Sequence, residues 1–239
     1  MTKIIGIDSA NIVKLNGSAM GGISKVSGVT TSTPGIIQTN LNIQFDIQDS
    51  SSYPGTGTSL VDLKGNNNGT LQASPLYSTH LGAKSLRFNG NSWVSFASNV
   101  VSTNWTVSYW ISYYASNTYY HRIWGMGGYR MEIAFTRNSL YIYDGGWFNT
   151  GINLNSTSEW HNLVVTYNNS PRTITVFKDG IQVYTTRRGR TMNTWARLFN
   201  SSDNRRAKGY LGELLFYNNN LTPAEVLNNY NVKKSIYGR

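Results

Sequence analysis

The 239-residue chain has no cysteine, five prolines, three histidines and only 13% charged residues. Each shortage removes a class of protein. Without cysteine there is no disulfide framework and no thiolate nucleophile, which suits a chain made and folded in cytosol. No apolar run is long enough to cross a bilayer, and Met1-Thr2-Lys3-Ile4-Ile5-Gly6-Ile7-Asp8 is interrupted too early for a secretory signal, so no membrane insertion is expected. The sparse charge is unlike the Lys/Glu-rich surface of a helical protein. Residues 1–40 lack aromatics altogether, although the whole chain carries 7 Trp, 16 Tyr and 8 Phe.

What is abundant is Gly, Asn, Ser and Thr, the turn and hydroxyl residues of a β-rich surface. A β-sandwich of this length commonly forms one domain, and its core is large enough to stand without disulfides. The net charge of +10 is uneven: residues 171–239 hold 12 of the 21 basic residues and four of the 11 acidic ones. This basic run includes Arg187, Arg188, Arg190, Arg197, Arg205, Arg206 and Lys208, and it would attract phosphate, acidic sugars or an acidic neighbouring subunit, or simply form a solvated face. No recognition helix or nucleic-acid fold signature accompanies it, so nucleic acid is not expected as a partner.

The aromatic-free segment reads as an arm, residues 1–38, preceding a sandwich at 39–239, with Pro34-Gly35 as punctuation between them. Within it Ile12-Val13-Lys14-Leu15-Asn16-Gly17 is echoed eleven residues later by Ile23-Ser24-Lys25-Val26-Ser27-Gly28. Each copy reads as a short strand running into a tight turn. Two such strands cannot bury a face alone, so Ile12, Leu15, Ile23 and Val26 are candidate assembly residues, with a plain linker as the alternative.

From Leu41 the pattern changes, with apolar Leu41, Ile43, Phe45 and Ile47 at period two. Residues 50–69 read as a long surface loop. Strand patterns then recur at 85–88, 93–97, 105–114, 130–135, 140–143, 161–167, 173–178, 181–185 and 210–217, which predicts an all-β antiparallel two-sheet jelly roll. Lys178-Asp179-Gly180 reads as a hairpin turn. The single predicted helix opens at Leu221-Thr222-Pro223-Ala224-Glu225, with Thr as cap, Pro first and Glu third, and docks through Val226, Leu227 and Tyr230.

Four elements in order make the chain resemble the laminin G-like domains of the concanavalin A-like lectin/glucanase superfamily, in the form found in tailed-phage structural proteins. They are Phe45-Asp46 through Leu86-Arg87-Phe88-Asn89-Gly90; Trp105-Thr106-Val107-Ser108-Tyr109-Trp110-Ile111; Glu159-Trp160-His161 through Val176-Phe177-Lys178-Asp179-Gly180; and Gly212-Glu213-Leu214-Leu215-Phe216-Tyr217 with the closing helix. The resemblance spans about Leu41 to Tyr230 and implies a concanavalin A-like sandwich. Many members carry Asp in the strand that here reads Gly212-Glu213-Leu214-Leu215, where Glu213 is the remaining carboxylate. Some relatives bind calcium at the rim. The oxygen-rich candidates here are Asp46, Asp49 and Asp62 with Asn66, which equally make Asx-turns, so no metal and no cofactor are assigned.

No two acids lie two residues apart, the spacing at which related glycosidases place a catalytic pair on one strand face, and Glu132 stands alone between Met131 and Ile133. With no G-x-S-x-G either, the chain is expected not to be an enzyme. Aromatics crowd the central region, and Tyr119, Tyr120 and Trp147, read as loop residues, are the candidate carbohydrate-binding side chains. In the strand predicted at 105–114, Tyr109, Ile111 and Tyr113 alternate with Trp110 and Tyr114, which places some of them near the surface or an interface. The repeat in the arm resembles segments of tailed-phage structural proteins. The functional expectation is therefore a virion structural protein made in host cytoplasm, a capsid decoration, head fibre or tail component, that displays a lectin-like sandwich for host adhesion. Its expected partners are other virion proteins, further copies of itself and a cell-surface glycan. The alternative is a free lectin module, with a glycoside hydrolase ranked below both.

Overall fold

The computed structural model describes residues 14–15, 18–19, 35–113, 116–125, 132–137, 139–143, 146–154, 158–187, 194–200 and 206–239. The chain divides into two compact units, Met1–Pro34 and Gly35–Arg239. In the first, β1 (Lys14–Leu15) pairs antiparallel with β2 (Ser18–Ala19). The candidate assembly residue Leu15 belongs to β1, while Ile12, Ile23 and Val26 lie outside the described residues.

The second unit is an antiparallel two-sheet sandwich, as its alternating pattern predicts. Its strands are β3 (Leu41–Asp46), β4 (Ser59–Leu60), β5 (Gly69–Gln72), β6 (Leu76–His80), β7 (Ala83–Asn89), β8 (Trp93–Val101), β9 (Trp105–Tyr113), β10 (Ser116–Gly125) and β11 (Glu132–Arg137). They continue as β12 (Ser139–Tyr143), β13 (Trp147–Asn153), β14 (His161–Asn168), β15 (Thr173–Lys178), β16 (Ile181–Arg187), β17 (Thr194–Leu198) and β18 (Lys208–Tyr217). The back sheet runs β16-β15-β14-β9-β18-β7-β6, and β3 also pairs with β18. The front sheet runs β13-β12-β11-β10-β17-β8-β5-β4. One edge of β18 follows β9, and the other is shared by β7 (at 208–211) and β3 (at 213–217), with a register shift at Gly212.

The inter-sheet core includes Ile43, Phe45, Phe88, Val94, Trp105, Val107, Tyr109, Leu163, Val165, Leu198, Leu214 and Phe216. The back sheet is also covered on its outer side. Helix α1 (Pro223–Lys233) and the tail after it lie there: Val226 and Leu221 pack with Val164, Phe177, Leu215 and Tyr217, while Tyr237 packs with Trp110 and Trp160. All nine residues of β9 are consequently buried. Of the surface and the interface that alternation allowed for part of this aromatic strand, the structure shows the interface, because both of its faces have partners, one in the opposite sheet and one in the tail.

Local chemistry sets the boundaries of these elements. Asp179 and Gly180 take φ of 52° and 80°, the left-handed pair that a two-residue hairpin requires between β15 and β16. Thr222 and Glu225 form the complete capping box of α1. Of the predicted docking side chains, Val226 is buried and Tyr230 stacks near Trp110, but Leu227 remains 44% exposed beside Gly180. The segment read as a surface loop, residues 50–69, is mostly exposed, as expected, and a small buried plug anchors it. Ser52, Tyr53, Leu60 and Asp62 are buried there, and the two Asp62 oxygens accept the backbone N–H groups of Gln44, Lys64, Asn66 and Asn67. The polar groups of this plug are thereby paired internally, while most of the segment faces water. Ile36, assigned by sequence to the arm, is buried against α1, and Ile37 N–H donates to Asn229 Oδ1 at 2.8 Å. No helix among the described residues is long and apolar enough to cross a membrane.

Candidate functional site

Among the described residues, the chain's own C-terminal segment fills the outer side of the back sheet, and no core cluster forms on the outer side of the front sheet. Ladder parity identifies what lines it. Leu71, Val94, Leu140, Ile142 and Leu198 point into the core, so their strand neighbours Thr70, Gln72, Trp93, Ser95, Tyr141, Tyr143 and Arg197 face outward. Trp147 shares that face through its pairing with Tyr143.

Two aromatic groups result. On β8, Trp93 lies opposite Gln72, with the Arg197 guanidinium 5.1 Å above its ring. Beside it Gln72 Nε2 donates to Ser95 Oγ at 3.1 Å. Four strands along the sheet, roughly 19 Å away at ordinary strand spacing, Tyr143 and Trp147 meet at 5.2 Å with planes tilted by 59°. All four large side chains, Trp93, Tyr141, Tyr143 and Trp147, are half-buried. Their bodies are anchored by neighbours while one side remains available, which suits a face that stacks on the C–H surface of a sugar ring and offers amide and hydroxyl groups to its hydroxyls.

The sequence-predicted residues fare unevenly. Trp147 reaches this face, but it opens strand β13 and is not in a loop. Tyr119 and Tyr120 are likewise in a strand, β10, which pairs with β11 at Ser116 and again from His121; their side chains lie outside the described residues. Glu132 occupies the ladder position opposite Tyr143. Trp93 and Gln72 were missed, although the alternation Trp93-Val94-Ser95-Phe96 carries the signal once Val94 is placed inside.

Carboxylates are mostly elsewhere. Of the eight described carboxylate residues, Glu132 on β11 is the one that lies on a front-sheet strand. Asp49 accepts the Ser51 N–H in an Asx-turn, and Asp62 organises the plug. Among the described residues no group of three or more His, Cys, Asp and Glu could hold a metal ion. His161 and Trp160 pack at a strand end: His161 Nδ1 lies 2.9 Å from Asp179 Oδ2, and Trp160 Nε1 donates to the His80 carbonyl. One carboxylate pair does form across strands, invisible to a search along one strand. Asp46 on β3 and Glu213 on β18 are direct ladder partners. Lys233 from α1 sits between them, 2.6 Å from Asp46 Oδ2 and 2.9 Å from Glu213 Oε1. Burial pushes Glu213 up to about 7 against the pull of Lys233, while the two carboxylates hold Lys233 above the usual lysine value despite its burial. The pair lies beneath α1 with a lysine filling the space that a substrate and its attacking water would need, so its geometry is that of a helix latch.

The class defined by two antiparallel sheets, an aromatic outer face and a closing helix is that of the lectin-like β-sandwiches. The profile of the concanavalin A-like lectin/glucanases superfamily matches residues 88–227, more than half of the sequence, and the chain belongs to that family. No curated protein matches it by sequence. Among solved structures it is similar to domain 4 of AbnA, a GH43 extracellular arabinanase from Geobacillus stearothermophilus, in complex with arabinotriose. That likeness has a TM-score of 0.64 at 18% identity and covers 80% of this chain and 98% of that one. It is also similar to the binding domain of Paraclostridial Mosquitocidal Protein 1, with a TM-score of 0.62 at 17% identity, covering 84% of this chain and 55% of the other. A third likeness is to the binding domain of Botulinum Neurotoxin DC in complex with SialylT, with a TM-score of 0.57 at 13% identity, covering 82% and 52%. The chain thus spans about half the length of these two toxin domains. At such identities the likeness is one of fold.

Proposed function

We propose that the protein is a non-catalytic glycan-binding module that a virus particle displays through its N-terminal arm. The observation that carries the binding half is the asymmetry of the sandwich: one broad face is sealed by the chain's own helix and tail, and the other presents Trp93, Tyr141, Tyr143 and Trp147 among polar groups. Solved relatives in complex with arabinotriose and with SialylT support sugar as the ligand class. On a glycan array the wild-type protein should retain at least one glycan. The Tyr143→Ala/Trp147→Ala double variant should lose about tenfold or more in affinity with little change in melting temperature, since stacking contacts of this kind each contribute about 0.5–1.5 kcal/mol. Binding that survives the double substitution undiminished would remove these aromatics from the site, and a silent array would remove the reading.

The display half rests on the arm, whose Lys-x-Asn/Ser-Gly repeat pairs apolar residues with tight-turn signals. Its strands would add to neighbouring copies or other particle proteins and satisfy backbone and aliphatic groups together. Ile36 and Ile37 belong to the sandwich, so the test deletion should remove residues 1–34 only. The truncated protein is expected to fold and to bind glycan as before while failing to join the particle. Normal incorporation would place attachment in the sandwich, and a particle-free wild-type protein would favour a free lectin.

A further inference from the structure

The latch beneath α1 holds more than opposite charges, because it keeps a primary amine and a carboxyl group in contact where water has little access. Lys233 Nζ lies 2.6 Å from Asp46 Oδ2, and the two side chains are 14% and 9% exposed. In water an amine and a carboxylate persist as separate ions because both are hydrated. Burial strips that hydration, and a neutral amide is then easier to keep inside than two charges. The sandwich also fixes the pair in one geometry, so a reaction between them is intramolecular.

Two further groups complete the arrangement. The Gln48 backbone N–H donates to Asp46 Oδ1 at 2.9 Å, which aims a fixed donor at the oxygen that gathers negative charge when a nitrogen adds to the carboxyl carbon. Glu213 Oε1 lies 2.9 Å from the same Nζ, and its ladder position is directly opposite Asp46. Burial pushes the Glu213 carboxyl up to about 7, so near neutral pH it can take a proton as well as give one. Burial opposes the charge on Lys233, but the two carboxylates hold it above the usual lysine value. The amine is therefore not freed by losing a proton to solvent. It is freed by passing one to Glu213, a shift within the cluster that leaves the total charge unchanged.

We propose that Lys233 and Asp46 are a self-modification site, at which Nζ condenses with the Asp46 carboxyl to form an intramolecular amide and Glu213 carries the protons. The Nζ–Cγ bond forms and the Cγ–Oδ2 bond breaks. Of the three ammonium protons, two leave with Oδ2 as water by way of Glu213, and the third stays on the amide nitrogen. One positive and one negative charge disappear together, Glu213 ends as it began, and no second reactant is consumed. The ionised latch is the state of freshly folded protein, before the bond forms. The amide would make it permanent, joining β3 to α1 across 187 positions of the chain.

The test is the intact mass of the full-length protein, refolded and then held at pH 7 for several days. The wild-type protein should lose the mass of one water, and trypsin should then release residues 26–64 joined to residues 209–234, uncut at Lys233. Asp46→Ala removes the acceptor and Lys233→Arg keeps the charge without a nucleophilic amine, so both should abolish the loss. Glu213→Gln retains amine and acceptor and should slow the loss by about 100-fold, the low end of the range for positioned proton transfer. Should either of the first two variants not fold, the wild-type digest and the Glu213→Gln rate decide the matter. A wild-type mass that stays constant overturns the proposal. Water lost while residues 26–64 remain separate overturns Asp46 as the acceptor, and a full rate in Glu213→Gln overturns the role given to Glu213.

Discussion

Replacing Lys233 by methionine is expected to destabilise the protein by about 3–5 kcal/mol at pH 8, as befits removal of one partner from a buried ion cluster. Lys233 is the cation between Asp46 and Glu213, which are 6% and 2% exposed. Without it two carboxylates face each other beneath α1. The wild-type cluster holds one ammonium and two carboxyl groups, so a proton on Glu213 brings it to neutrality. Burial raises that carboxyl from an ordinary 4.5 to about 7. The native state therefore binds a proton that the unfolded chain has released. The corresponding stability is fully present below pH 4.5 and is lost as pH rises through about 7, with a slope approaching about 1.4 kcal/mol per pH unit. Urea unfolding at pH 5 and pH 8 should show this slope in the wild-type protein and lose it in Glu213→Gln, which should stay within about 1 kcal/mol of wild type at pH 8. The Lys233→Met penalty should be smaller at pH 5, where Glu213 is already neutral. A penalty below about 1 kcal/mol at pH 8 would show that the cluster does not latch the helix.

Trp110→Ala should be comparably severe, about 3–5 kcal/mol, the usual cost of truncating a large aromatic in a packed interior. Trp110 is 1% exposed and lies between the sheet and the C-terminal tail, stacked 4.3 Å from Tyr237 and 5.7 Å from Tyr230. Gly212 makes room for this arrangement, since a Cβ there would overlap the Tyr237 ring. Loss of the indole leaves the tail with the edge of Tyr237 against Trp160 and with its rim contacts, Arg239 to Glu159 and Asp179. These ion pairs are partly exposed and hold it weakly. The variant should accordingly become sensitive to trypsin at Lys233 and Lys234 well before the sandwich unfolds. Resistance equal to that of the wild-type protein would mean that the tail is held by something other than this stack.

The two sites also show where sequence reading succeeds and where it stops. The Lys178-Asp179-Gly180 hairpin and the Thr222–Glu225 capping box were legible because every residue that determines them lies within four positions. The strand at 105–113 was legible too, but its second buried face was not, because the side chains that cover Trp110 come from the last ten residues of the chain. Asp46 and Glu213 become neighbours only through the β3–β18 ladder, and no spacing rule reaches that far. Of the strands that the pattern missed, β6 and β10 escaped for a different reason. Leu76–His80 is a polar edge strand, Ser116–Gly125 mixes aromatic and polar residues without clean alternation, and both resemble loops to any test that relies on an apolar face. The aromatic face was half-legible. Trp147 was identified, but as a loop residue after Asp144-Gly145-Gly146, and Trp93 could be read as outward only with Val94 already placed inside.

The contacts at the start of the sandwich bear on how the domain would carry a mechanical load. Asn228 Nδ2 donates to the Gly35 carbonyl, Ile37 N–H donates to Asn229, and the Tyr217 hydroxyl donates to the Ile37 carbonyl. A tether that pulls on residue 35 would therefore strain the helix and its seat on the back sheet first. The front sheet, separated from that anchor by the full thickness of the core, would keep its shape while the tension rises. A ligand gripped there would feel the pull only after it had crossed the Lys233 latch and the β18 ladder, so slippage at the anchor should precede any distortion of the grip.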